Sequence, residues 1–265
     1  YIKQIAYYLP EISISNEKLI EEFPEWTVGK IASKVGVNNR HVAGEQETAS
    51  DMAVAAANNL FTVDSDIRRE DIDFVLFCTQ SPDYFLPTSA CLIQDRLGLR
   101  TNIGAIDFNL GCSGYVYGLA IAKGLITGRI AKNVLLLTAE TYSKVFCTQG
   151  IRVIVPYSGM RPVHQLSLRM DLLRLVSFLW VRDGKGADNL IVRTGASRKK
   201  EAENDLSFYE NGNPVSSDYL YMDGTEIFTF TQKNVPIVVK DTLIKNGFEQ
   251  SDIDLFVSIK PTSTC

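Results

Sequence analysis

Residues Asp107–Leu119 read DFNLGCSGYVYGL, the end of a strand, a glycine turn and the start of a helix. An apolar strand runs from Ile103 to Asn109. Gly111 then gives the backbone the freedom to turn sharply, and a helix spans Ser113–Thr127. Cys112 falls where that helix opens. First-turn amides lack intrahelical acceptors, and the positive end of the helix dipole favours a thiolate. The same amides can hold the oxyanion of a tetrahedral thioester intermediate. Gly114 and Gly118 leave one side of the helix small, so it can lie deep against a neighbour. A lone cysteine usually packs as a small hydrophobe, so the surrounding residues have to carry the functional reading.

On both sides of this stretch the chain alternates helix and strand signals. Ala49–Phe61 is an alanine-rich helix that Ser50 or Asp51 can cap. Asp73–Thr79 is a short continuous apolar run, the mark of a buried strand. Thr88–Leu97 reads as a helix with Pro87 at its start, and Asn133–Glu140 as a third buried strand. Strands alternating with helices imply parallel pairing in a layered α/β fold. Glu226–Asn246 reads as a helix kinked at Pro236. It leads into SDIDLFVS at Ser251–Ser258, which parallels EDIDFVLF at Glu70–Phe77 and predicts a strand there. Two such units suggest a duplicated chain, the alternative being a chance match of a common strand entry.

The bulk numbers exclude several classes. A chain of 265 residues with 45% apolar and 22% charged residues has a full globular core. Its net charge of −4 argues against nucleic acid as a partner. No apolar run is long enough to cross a bilayer, and no signal peptide opens the sequence, so no membrane role is expected. The five cysteines (Cys78, Cys91, Cys112, Cys147 and Cys265) are odd in number and widely spaced, which points to a reducing cytoplasm. No histidine pair has metal-ligand spacing and no dinucleotide fingerprint follows a first strand, so no metal or cofactor is expected.

The CSGxxYGL run after a buried strand resembles the nucleophile segment of the β-ketoacyl-acyl-carrier-protein synthase III family of thiolase-like condensing enzymes. Further matches fall in order. KVGVNNRHVA at Lys34–Ala43 resembles the segment near the coenzyme A entrance, and TASDMAVAAA at Thr48–Ala57 the next helix. SPDYFLPTSACLIQDRLG at Ser81–Gly98 resembles the loop and helix of the dimer and acyl pocket. LLLTAETYSK at Leu135–Lys144 resembles the strand after the nucleophile helix, and MDGTEIFTF at Met222–Phe230 the opening of the second half.

The resemblance implies a layered αβαβα fold of two duplicated halves, 1–182 and 183–265. It implies an acyltransferase of fatty-acid biosynthesis, a homodimer whose substrates are acyl-coenzyme A and an acyl-carrier-protein thioester. Acyl-coenzyme A would acylate Cys112, and decarboxylative condensation with malonyl-acyl-carrier protein would follow. Lys34 stands where the family has an arginine facing coenzyme A phosphates. Trp26 matches the adenine-stacking tryptophan or is a core residue. Leu86 reaches the partner's acyl pocket or is simply interface packing.

The resemblance breaks in two places. The family's H-Q-A-N and G-N-T segments, which supply a histidine and an asparagine to the site, have no in-frame counterpart. The only histidines are His41, which the resemblance sets away from the chemistry, and His164. Val145–Arg182 holds five arginines and a single acid, Asp171, and lacks the family's pattern. Read one base out of step, with free synonymous choice, 145–182 can encode FLHPRDKSNRTIFGDA, and VSIKPTSTC at Val257–Cys265 can encode FHQANKYM. The expectation is therefore an aberrant 145–182 and an incomplete second half. Two other readings follow: a vestigial family member without turnover, and a relative that passes its acyl group to another acceptor.

Overall fold

The structure, a computed structural model, describes residues 1–22, 26–63, 67–145, 177–208 and 214–256. Two compact units contain them. The first holds 1–14 and 40–142; the second holds 15–39, 143–145 and the described residues from 177 onward.

β1 (Ile12–Ser15) pairs with β2 (Asn39–Val42), and the first unit is built on a parallel sheet of β3 (Phe74–Cys78), β4 (Gly104–Phe108) and β5 (Val134–Thr138), in the order β4-β3-β5. Phe77 lies in register with Asp107 and Leu137, and Cys78 with Phe108 and Thr138. The order follows from burial. Val75, Leu76 and Phe77 are fully buried, as a strand flanked on both edges and covered on both faces must be. Alternate side chains serve opposite layers. Val75, Phe77, Leu135 and Leu137 share one core with α3 (Ala49–Val63) and α4 (Ser89–Arg96), through Met52, Ala53, Ala57, Ala90 and Ile93. Cys78, Leu136 and Phe108 face α5 (Gly114–Thr127).

The close approach of α5 rests on two glycines. A Cβ at Gly114 would overlap the Cys78 Sγ, and one at Gly118 would come 2.5 Å from Leu136 Cδ1 and 3.2 Å from Phe108 Cζ. Asp73, the second acid of the DID signature, pins the entry to the sheet. Its carboxylate accepts the Lys132 and Asn133 N–H groups at 2.9 and 3.1 Å and pairs with Arg100 at 3.0 Å.

In the second unit, α1 (Asn16–Glu22) and α2 (Val28–Val35) are neighbours. Thr27 caps α2 through its hydroxyl, and Gly36 ends it in the left-handed region at φ 70°. β6 (Leu190–Ile191) pairs antiparallel with β9 (Tyr221–Met222), and β7 (Ser207–Phe208) with β8 (Pro214–Val215). α7 (Gly224–Asn246) is capped by Asp223 and runs unbroken through Pro236.

The expected elements appear within a residue or two of their predicted bounds, with one correction. The strand predicted at Ser251–Ser258 does not form across Ile253–Phe256; Leu255 and Phe256 are exposed there, and 257–258 lie outside the described residues. Without a covering layer, apolar alternation alone does not make a strand. The paired signatures do share their entry. Short 3₁₀ turns cover Arg69–Asp71 and Gln250–Asp252. In each, the first acid of DID closes onto the residue three before it, Asp71 N–H to Arg68 O and Asp252 N–H to Glu249 O, both at 3.1 Å. Among the described residues no helix is long and apolar enough to cross a membrane.

Replacing Gly118 by valine forces branched carbons into Leu136. We expect a stability loss of about 1–3 kcal/mol, read as a lower urea midpoint; an unchanged midpoint would contradict the close packing of α5.

Candidate active site

At the C-terminal ends of three parallel strands the chain must turn, and in open α/β sheets ligands bind at that edge. β4 ends at Phe108, and residues 109–113 form the turn into α5. The Gly114 N–H donates to the Gly111 carbonyl at 2.7 Å, which closes the turn under Cys112. That bond occupies the Gly114 amide, so the Cys112 N–H is the candidate oxyanion donor. Cys112 is a free thiol. It is exposed: Gly114 takes the space beside Cys78, so burial falls on the glycine and leaves the cysteine outside.

Cys78 is the contrasting thiol. It is buried and donates to the Leu110 carbonyl at 3.1 Å. Burial, followed by the Glu140 carboxylate, pushes its pKa up to about 12, so it stays a thiol at neutral pH. Cys91 is exposed and accepts from the Thr88 hydroxyl at 3.1 Å on α4.

Side chains from the ends of β3 and β5 support the turn. The Glu140 carboxylate accepts the Gln80 N–H through both oxygens, at 2.8 and 3.0 Å, and the Ser81 hydroxyl at 2.9 Å. Ser81 Oγ in turn accepts the Thr141 N–H at 2.8 Å. Burial outweighs these donors and pushes the Glu140 pKa up to about 7. The Gln80 side-chain amide donates to Asn109 Oδ1 at 3.1 Å and accepts from the Tyr142 hydroxyl. Sequence reasoning missed Glu140, Gln80 and Tyr142. The available signal was one acid closing an otherwise apolar strand, LLLTAE.

The loop that carries Leu86 has a rigid base and an apolar tip. Asp107 on β4 accepts the Ser89 and Ala90 N–H groups at 2.7 Å each and so caps α4; the Thr88 side chain makes no cap bond. Ser50 donates to Asp83 at 2.5 Å and accepts from Arg96 at 2.8 Å. Above this base Tyr84, Phe85 and Leu86 are 62%, 91% and 85% exposed.

Trp26 and Lys34 belong to the other unit. Trp26 is 8% exposed, in a cluster with Leu19 and Ile31, and the Lys30 ammonium lies 4.6 Å from its ring centroid. Lys34 occupies the last turn of α2. His41 donates through Nδ1 to the Pro10 carbonyl at 2.7 Å. His164 lies outside the described residues.

The fold and the cysteine turn define a thiolase-like condensing enzyme. The family model for 3-oxoacyl-[acyl-carrier-protein (ACP)] synthase III matches residues 106–154, which include the whole turn. A crystal structure of a 3-oxoacyl-(acyl-carrier-protein) synthase III superposes with a TM-score of 0.86 at 39% identity, over 96% of this chain and 76% of that one. The β-ketoacyl-[acyl-carrier-protein] synthase III of Sulfurovum sp. is 31% identical over 96% of this chain and 73% of its own length. That of Fusobacterium nucleatum is 28% identical over 96% of this chain and 74% of its own.

The chain therefore belongs to the β-ketoacyl-acyl-carrier-protein synthase III family. These relatives match it in its own frame over 96% of its length, so the out-of-step reading of 145–182 and 257–265 is not borne out. Residues 146–176 and 257–265 lie outside the described residues.

The raised Glu140 pKa has a signed consequence. The native chain keeps this proton up to about pH 7, whereas an unfolded glutamate releases it at its ordinary value of 4.5. The native state then binds more protons across that window, so stability falls as pH rises through it. We expect Glu140→Gln to be more stable than the wild type at pH 8 by up to roughly 3 kcal/mol, with the gap closing below about pH 5. Urea titrations that give a pH-independent gap would contradict this.

Proposed function

We propose that Cys112 takes an acyl group from a coenzyme A thioester and passes it to the carbanion from malonyl-acyl-carrier protein, as a priming step of fatty-acid synthesis. The thiolate attacks the thioester carbonyl carbon, and the Cys112 N–H receives the oxyanion. The C–S bond to coenzyme A then breaks, and coenzyme A leaves as its thiol. Loss of carbon dioxide from the malonyl group supplies the carbanion that attacks the acyl-cysteine. The new carbon–carbon bond releases the Cys112 thiolate.

One observation carries this reading: a free, exposed thiol on the turn into α5, inside the segment that the family model matches. The names of the relatives support the carrier-protein acceptor. Lys34 would supply a point charge to the coenzyme A phosphates, where an arginine would also offer two-pronged hydrogen bonding. Trp26, packed with Leu19 and Ile31, would anchor the helix that presents it. Exposed Tyr84, Phe85 and Leu86 suit burial against a second copy in a homodimer. Two thiolase-like halves, 1–182 and 183–265, find support in the matching 3₁₀ turns of the DID signatures. Three free cysteines among the described residues suit a reducing cytoplasm. No metal or redox cofactor is needed for this chemistry.

A second reading is that only the acylation half proceeds, or that the acyl group goes to another acceptor. The cysteine turn serves it equally well, because acylation of the Cys112 thiol is the same first step whichever acceptor follows.

Intact-mass spectrometry with acetyl-coenzyme A, followed by malonyl-acyl-carrier protein, separates the two. On the first reading the protein gains one acetyl group and loses it to a condensation product; on the second the acetyl group stays or moves elsewhere. Cys112→Ala should gain none, and an acetylated Cys112→Ala protein would overturn both. Lys34→Glu should raise the acetyl-coenzyme A concentration for half-maximal acylation roughly tenfold, about 1.4 kcal/mol; an unchanged value would remove Lys34 from the site.

A further inference from the structure

Gln80 sits where three strand ends meet, and the acyl-transfer chemistry described above leaves it without a role. Its backbone N–H is gripped by both oxygens of Glu140, and its side-chain amide bridges Asn109, at the end of β4, to Tyr142, beyond the end of β5. The amide also lies against the nucleophile turn: a Cβ built on Gly111 would come 2.9 Å from Gln80 Oε1 and 3.5 Å from the Tyr142 hydroxyl. Both neighbours are fixed. Asn109 continues directly from β4, and Tyr142 opens the short helix α6 (Tyr142–Val145). A planar amide held at both ends and at its backbone has one orientation, so the Gly111 backbone meets a rigid surface.

We propose that Gln80 is a positioning residue for Cys112: its amide, clamped between Asn109 and Tyr142, sets the Gly111–Cys112 turn so that the thiol and its own N–H both face one thioester carbonyl. The inference rests on Cys112 being the acyl acceptor. Thioester attack needs sulfur, carbonyl carbon and oxyanion donor aligned together. Alkylation by iodoacetamide needs only a reachable thiolate, because displacement of iodide builds no oxyanion. Positioning and mere integrity of the turn therefore predict different results.

The experiment measures two rates on the full chain: single-turnover acetylation of Cys112 by acetyl-coenzyme A, and its alkylation by iodoacetamide. Gln80→Leu keeps the bulk of the side chain and removes both amide bonds; Tyr142→Phe removes the hydroxyl and leaves Gln80 in place. Gln80→Leu should slow acetylation about ten- to hundredfold while alkylation changes by less than about threefold. Tyr142→Phe should show a smaller loss of the same kind, and the double variant should match Gln80→Leu alone, because both act through one clamp. Acetylation at the wild-type rate would overturn the proposal, as would acetylation and alkylation falling together. If Gln80→Leu does not fold, Tyr142→Phe decides on the same criterion. A wild-type protein that alkylates at Cys112 but never acetylates would instead sink the acyl-acceptor reading and the proposal with it.

Discussion

Everything at the site depends on how closely α5 approaches the sheet. Gly114 meets Cys78 and Gly118 meets Leu136 at distances that no side chain tolerates. That contact draws the start of the helix down onto the end of β3, and the turn of residues 109–113 has to rise over it. Cys112 is exposed because the residue two positions later is buried. The same contact explains why Cys78, a chemically identical thiol, is inert: it fills the space that the missing Cβ leaves, with its proton directed at the Leu110 carbonyl.

The second determinant is polar. Parallel strands end together, and their C-terminal edge collects backbone groups that the next helices cannot satisfy. Here the Glu140 carboxylate takes up that work, and the Gln80 carboxamide ties together side chains beside it. Glu140 joins the ends of β3 and β5, and Gln80 joins those of β4 and β5. Burial makes the arrangement sensitive, because a carboxylate with its pKa raised to about 7 gains or loses charge within the physiological range.

Legibility in the sequence followed the range of the interactions. The buried strands, the glycine-faced helix and the cysteine turn were readable because each is set by residues a few positions apart. The helix cap at Ser89 was not, because its acceptor, Asp107, is contributed by a strand 18 residues away. Glu140 and Gln80 lie 60 residues apart, so no local pattern shows that they meet. The strand expected within Ser251–Ser258 does not form across Ile253–Phe256 for a related reason: strand formation depends on a partner and a covering layer, and the apolar run there has neither among the described residues. Trp26 offered two readings, stacking or core, and its 8% exposure fits the core. The out-of-step reading drew on the freedom of synonymous codons, which lets many peptides be spelled in another frame; relatives aligned through the chain's own frame do not share that freedom.

The central claim is that local geometry makes one cysteine the acyl acceptor. The most direct measurement is peptide mapping of the wild-type chain after brief exposure to isotopically labelled acetyl-coenzyme A, with every cysteine-containing peptide quantified. The account predicts label on the Cys112 peptide and none on those of Cys78 and Cys91. Label on Cys91 at a comparable rate, or a Cys112 peptide without label while its thiol remains free, would contradict it.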